Sequence, residues 1–240
     1  MKTLVFVISL LVGTLALAQL PTNVGSLYTK DESGNLAFTC TASVVRGSDL
    51  NLKVDKVIMT AAHCVDDQID KDAATGKYVA KTVFLVTFDE QTFYGANLLR
   101  VGRQSKGYDI ALLTFAAKVP DVASFAIGDF SKLKLGDSLF NYGNPLGLGL
   151  QYFHGTLSMI ALQRPIGPAG AMWKGYALSI MPSGPGSSGS LILDGNGAVV
   201  GVLIGVIQGP FGTPFTVIVP QSRFAAFMSS AEAARDIVQP

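Results

Sequence analysis

The chain has 240 residues, 49% of them apolar and only 15% charged, a balance that suits a packed globular domain and excludes a disordered chain. Its formal charge is +1, and Lys and Arg are scattered along it. No basic stripe points to nucleic acid or to an anionic membrane surface.

In chain order, residues 1–18 read as a signal peptide. Met1-Lys2-Thr3 is a short positive start, Leu4 to Leu17 is almost unbroken apolar sequence, and Ala16-Leu17-Ala18 offers the small residues of a cleavage site. The apolar run is short for a bilayer span, and Gln19 to Asn23 turns polar with a proline. An uncleaved membrane anchor is the competing reading. Cleavage predicts a secreted or periplasmic protein with no stable membrane insertion, and residues 19–35 then form an N-terminal extension.

From there the chain breaks into short runs rich in Val, Ile, Leu, Phe and Thr. They predict strands over Leu36–Val45, Val54–Thr60, Lys81–Phe88, Thr92–Val101 and Ile110–Phe115. A second set covers Ser138–Tyr142, Leu150–Ala161, Tyr176–Ile180, Ser190–Leu193, Ala198–Ile207 and Phe215–Val219. Asp194-Gly195-Asn196-Gly197 is a strong hairpin turn, and Ala117 to Lys134 reads as a link between two halves. Many short strands without intervening helices predict an all-β fold of barrels or a sandwich. From Ser222 onward Phe224, Phe227 and Met228 recur at helical spacing in an alanine-rich segment, which predicts a closing helix.

The chain has two cysteines, Cys40 and Cys64. In an exported protein an even pair reads as a disulfide, with two buried thiols as the alternative. A structural zinc would need every soft ligand available, Cys40, Cys64, His63 and His154, and is not expected.

Three residues carry chemistry. His63 ends the apolar strand Val57-Ile58-Met59-Thr60 after two small alanines, which let an imidazole lie close to the backbone. Taken alone it reads equally as a structural histidine. Asp109 enters the apolar run Ile110-Ala111-Leu112-Leu113, where a carboxylate is costly without a partner such as an imidazole N–H. Its bland reading is a turn cap. Ser188 lies in Gly184-Pro185-Gly186-Ser187-Ser188-Gly189-Ser190, where glycines permit the backbone dihedrals that gather N–H groups beside a nucleophilic hydroxyl. A flexible Gly/Ser loop is the alternative. Together, the order His, Asp, Ser is one of the known orders of a catalytic triad, and residue 190 is not the second glycine of an esterase elbow.

These segments resemble the trypsin-like serine proteases. Thr60-Ala61-Ala62-His63-Cys64 looks like their histidine motif, with Cys40 placed like its usual disulfide partner, and Tyr108-Asp109-Ile110-Ala111-Leu112-Leu113 is similar to their aspartate motif. Gly143-Asn144-Pro145-Leu146-Gly147 and Pro185-Gly186-Ser187-Ser188-Gly189-Ser190 look closest to the bacterial HtrA-type proteases. Val217-Ile218-Val219-Pro220 resembles the strand before that group's closing helix. The chymotrypsin-like fold so implied is two six-stranded antiparallel β-barrels, about residues 36–120 and 135–220 within a domain over 36–234, with a C-terminal helix. Too few residues follow Ser188 for a PDZ domain.

The resemblance implies a serine endopeptidase acting on protein or peptide substrates through His63, Asp109 and Ser188, without a cofactor. It places the oxyanion donors on the amides of Gly186, Ser187 and Ser188. Two departures stand out. Ser187 replaces the aspartate of trypsin, so activation by a new N-terminus is not expected. Ser190 replaces a glycine and is expected to narrow the site. The primary pocket falls on Met181, Pro182, Leu203, Ile204 and Gly205; no charge lies there, which predicts aliphatic residues before the scissile bond. His154 reads as a partly exposed strand histidine, and Trp173 and Tyr176 as core. A non-catalytic binding module of the same fold, or an esterase with the same triad, are the alternatives.

Overall fold

The computed structural model describes residues 21–30, 33–117, 119–163, 175–209 and 212–239. The expected signal peptide and Trp173 lie outside them. The first half forms β1 (Val24–Lys30), β2 (Leu36–Arg46), β3 (Lys56–Thr60), β4 (Ile69–Lys71), β5 (Tyr78–Ala80), β6 (Phe84–Thr87), β7 (Phe93–Gly102) and β8 (Ala111–Phe115). The second half forms β9 (Ser138–Gly143), β10 (Gln151–Met159), β11 (Ala177–Ile180), β12 (Leu191–Leu193), β13 (Val199–Gln208) and β14 (Pro214–Pro220). A short helix, α1 (Phe224–Ser229), and a last strand, β15 (Ala234–Val238), follow.

Six strands of the first half close in the order β7-β6-β1-β2-β3-β8, because β8 pairs with β7 as well as β3. The second half closes as β10-β11-β14-β13-β12-β9. Closure removes the free edges that an open sheet of such apolar strands would expose. The result is two six-stranded antiparallel barrels of the chymotrypsin-like fold.

β12 and long parts of β11, β13 and β14 are buried on both faces, which explains their unbroken apolar runs, whereas β9 and β10 alternate. Ile192 of β12 joins Leu139, Leu157 and Ile218 inside the barrel. Its neighbours Leu191 and Leu193 join the larger core, which also holds Val57, Ile58 and Leu112 of the first barrel. The seam between barrels is therefore apolar core, and the catalytic candidates lie along it.

Three findings depart from expectation. The segment assigned to an extension contains β1, which lies between β2 and β6 and completes the first barrel. β4 and β5 form a small hairpin outside the barrel. The closing helix stops at Ser229, the residues after it turn, and the chain ends in β15, antiparallel to β7 and parallel to β5. A buried guanidinium helps to end the helix: Arg100 donates Nε to the Phe227 carbonyl at 2.7 Å and Nη2 to the Ser230 carbonyl at 3.0 Å. Carbonyls at a helix C-terminus lack partners within the helix, so a cation on β7 satisfies them and fixes where the chain turns. Its Nη1 also pairs with Asp236 of β15.

Candidate active site

β3 ends at Thr60, and a 3-10 turn over Ala62–Cys64 swings His63 out of the core. Ala61 and Ala62 are fully buried, so larger side chains would not fit where the turn packs. Cys40 of β2 and Cys64 form a disulfide with a sequence separation of 24, which pins the turn to the neighbouring sheet. The only His/Cys cluster among the described residues is Cys40, His63 and Cys64, and its two sulfurs are spent in this bond.

Asp109 reaches His63 from the loop before β8. Its Oδ2 accepts a hydrogen bond from His63 Nδ1 at 2.8 Å, and its Oδ1 accepts one from the His63 main-chain N–H, also at 2.8 Å. A carboxylate only accepts, so Nδ1 carries the proton and Nε2 keeps its lone pair. The Asp109 side chain is 6% exposed and that of His63 is 35% exposed, so the pair is sealed below and open above. Partial burial pulls the imidazole pKa down, but the hydrogen bond and negative charge of Asp109 outweigh it and hold His63 above its usual 6.5.

Ser188 comes from the second barrel, in the turn between β11 and β12, and is half-buried. The turn is docked onto the first barrel through main-chain contacts. Thr41 of β2 donates its N–H to the Ser188 carbonyl at 3.0 Å, and its hydroxyl donates to the Gly186 carbonyl at 2.8 Å. Gly189 has φ +84°, and a Cβ there would stand 2.2 Å from both the Thr41 carbonyl and the Thr60 hydroxyl. Only glycine fits, and this close approach brings the serine turn against the strand that ends at His63. From the second barrel, the Gly189 N–H bonds the Leu203 carbonyl at 2.8 Å.

The amides beside the hydroxyl fall into two groups. Ser187 N–H donates to the Gly184 carbonyl at 3.0 Å, which removes Ser187 from the expected set of oxyanion donors. Among the described residues, the N–H groups of Gly186 and Ser188 meet no protein acceptor. Gly186 has φ +90°, a conformation that turns its N–H away from the body of the turn. Ser190 does not narrow the cleft. It is fully buried, and its hydroxyl donates to the Ser187 carbonyl at 2.6 Å, so the replacement braces the turn from behind.

The pocket residues need correction. Met181 and Leu203 are 1% exposed and lie in the interior core of the second barrel, while Ile204 belongs to the larger core. Pro182 is exposed and Gly205 half-buried, which leaves these two at the surface of the cleft. A polar pair was missed: buried Thr216 of β14 donates to the Met181 carbonyl at 2.8 Å, and Ser183 donates to Thr216 at 2.8 Å. Each hydroxyl has one hydrogen, so the Thr216 bond to the carbonyl fixes the direction of the other. Asn144 was quoted only for its motif. It is 1% exposed and ties Ser26 of β1, Thr41 of β2 and Gly149 into one network behind the serine turn. His154 is exposed on β10, opposite Phe140 and remote from the histidine–aspartate pair in the fold.

Comparison with known proteins fits this arrangement. Residues 40–202, more than half the chain, match the trypsin-like peptidase domain. The chain belongs to that family. Its fold is similar to that of the HtrA-type protease AlgW solved with a decapeptide, at TM-score 0.63 and 16% identity over 87% of this chain and 64% of that one. The same protease with a tripeptide superposes at TM-score 0.61 and 16% identity, over 87% of this chain and 60% of that one. The chain thus spans under two thirds of the length of these relatives. No curated protein matches it.

Proposed function

We propose that the chain is an exported serine endopeptidase that cuts peptide bonds with His63, Asp109 and Ser188. One observation carries the reading: a buried carboxylate holds His63 by both Nδ1 and its main-chain N–H, in the turn that follows the strand against which the serine turn is docked. Ser188 attacks the scissile carbonyl while His63 Nε2 takes its proton. The carbonyl oxygen gains negative charge and rests on the N–H groups of Gly186 and Ser188. His63 then gives the proton to the leaving amine, and an acyl-enzyme remains on Ser188. Water, deprotonated by His63, releases the acid product. Asp109 keeps the imidazole in the productive tautomer and stabilises its cationic form.

Export is supported by the cleavage pattern before residue 19 and by the Cys40–Cys64 disulfide. Specificity is proposed for uncharged, aliphatic side chains before the cut. Pro182, Gly205 and the 183–186 stretch carry no charge, and the Ser183 and Thr216 hydroxyls are occupied by each other and by the Met181 carbonyl. A charged side chain would be desolvated there without compensation. A fluorophosphonate probe tests the reading: labelling should map to Ser188 and disappear after denaturation. Labelling elsewhere, or none in folded protein, would favour the non-catalytic alternative.

A further inference from the structure

The reaction uses two groups from the first barrel and one from the second, so something must hold the loop that carries Asp109 when a substrate enters the seam. The second barrel reaches that loop with two side chains the mechanism does not use. Arg223, in the turn before α1, donates Nη1 to the Gly107 carbonyl at 2.7 Å. Its guanidinium lies 5.6 Å from the Tyr108 ring centroid and 4.9 Å from that of Tyr176. The three residues before Ile110 are thus gripped at Gly107 and Tyr108 by one planar cation. Tyr176 immediately precedes β11 and is 1% exposed, the largest of the fully buried side chains among the described residues. Its own carbonyl accepts the Leu162 N–H at 2.7 Å, which fixes it to the second barrel.

We infer that Tyr176 and Arg223 form a brace from the second barrel that holds Asp109 against His63, which makes both positioning residues for the proposed reaction. The physical case rests on what each contributes. Asp109 spends both carboxylate oxygens on His63, so its position must be set through its main chain and its neighbours. The buried Tyr176 ring backs the Arg223 guanidinium, which in turn holds the Gly107 carbonyl and the Tyr108 ring next to Asp109. Burial, and after it the Asp109 charge, push the tyrosine pKa up, so the hydroxyl remains protonated across the working range. A guanidinium between two aromatic rings, anchored by a hydrogen bond, is a rigid spacer that a flexible ammonium would not reproduce. The groups that face Asp109 in this network are His63, Tyr108, Tyr176 and Arg223.

The inference rests on the proposed function but has a readout independent of turnover. The chain has two histidines, so the imidazole proton signals can be followed by NMR in Ser188→Ala protein and assigned with His154→Gln. If Asp109 is held less firmly, its raising effect on His63 weakens and the midpoint falls. Tyr176→Leu, which removes the ring that backs the guanidinium, should lower the His63 midpoint by about half a pH unit. In otherwise native enzyme it should reduce kcat about 5- to 10-fold with KM within about twofold. Arg223→Lys, which keeps the charge but not the fork, should lose kcat similarly, and the two losses together should be less than the product. A merely structural role would lower the melting temperature and the titratable fraction of active enzyme without moving His63. An unchanged His63 midpoint in Tyr176→Leu, or strictly multiplicative losses in the pair, would overturn the brace. Failure of the fluorophosphonate to label native protein would sink the peptidase reading alone, because the histidine titration is read without turnover.

Discussion

The two barrels are closed by the same number of strands, yet they present their catalytic candidates in different ways. The first barrel relies on side chains: a disulfide pins the turn of His63, and a carboxylate holds the imidazole in place. The second relies on backbone: Ser188 is placed by main-chain hydrogen bonds to Thr41 and Leu203 and by two glycines at positive φ. Chemical substitution should therefore damage the first half, and conformational substitution the second. The two halves meet where Thr41, Thr60 and Gly189 crowd together, so neither device works without the other.

The comparison is broken most severely at the nucleophile. Ser188→Ala removes the hydroxyl proposed to attack and keeps the residues that shape the turn. Turnover should fall by about 10⁴-fold or more, with the melting temperature close to native. Near-native hydrolysis of a casein substrate would show that another group attacks.

A conformational lesion comes next. Gly189→Ala keeps every catalytic side chain but puts a methyl group 2.2 Å from the Thr41 carbonyl and the Thr60 hydroxyl, at a φ that alanine resists. Relief requires the turn to lift from the first barrel. A displacement of about 1 Å costs on the order of 10²-fold in rate, and the strain should also lower stability. The comparison predicts slow labelling of Ser188 by a fluorophosphonate together with a lower melting temperature. Native kinetics in this variant would mean that the serine turn is not positioned by its contact with the first barrel.

The disulfide tests the side-chain half. Replacing Cys40 and Cys64 together with alanine frees the His63 turn and removes a cross-link over a separation of 24 residues. The chain-entropy relation gives a loss of about 3 kcal/mol, measurable by urea unfolding. Because Asp109 still holds His63, kcat should suffer less than it does in Gly189→Ala. A larger loss of kcat than in the glycine variant would reverse the assignment of roles.

Most strands were legible because their apolar runs are bounded by turn residues, and eleven stretches from Leu36 to Val219 coincide with strands to within a few residues. β1 was missed because Val24–Lys30 mixes small and polar residues, and its place depends on pairing with β2 and β6. The helix expected from Ser222 onward stops at Ser229 although the alanine-rich sequence favours its continuation, because the Arg100 contacts end it and β15 pairs with β7. The His63–Asp109 contact was foreseeable, since a carboxylate entering an apolar strand needs a donor. Met181 and Leu203 were misplaced for a different reason. Strands apolar on both faces carry no alternation to show which side chains face a cleft and which the barrel interior. The partnership of Tyr176 with Arg223 joins distant stretches of chain, and no local pattern marks it.

The smallest effect is also the sharpest test of the first barrel's side-chain logic, and it concerns pH. The Asp109 contact raises His63 above 6.5 despite the opposing effect of burial. The proposed reaction needs a neutral imidazole to accept the serine proton, so kcat/KM should rise with pH along a limb centred above 6.5. Stability should respond in the opposite direction. A group whose pKa is higher folded than unfolded contributes fully below about 6.5 and loses that contribution as pH rises through the folded value. With the His63 side chain 35% exposed, the stability change should be slight, and the rate profile is the better measurement. Asp109→Asn separates the causes. It removes the charge while keeping the size of the side chain, so the His63 midpoint, read by NMR, should drop below that of the native protein as burial becomes the dominant influence. If the midpoint stays put or rises in that variant, the carboxylate is not what sets the imidazole, and the side-chain account of the first barrel fails with it.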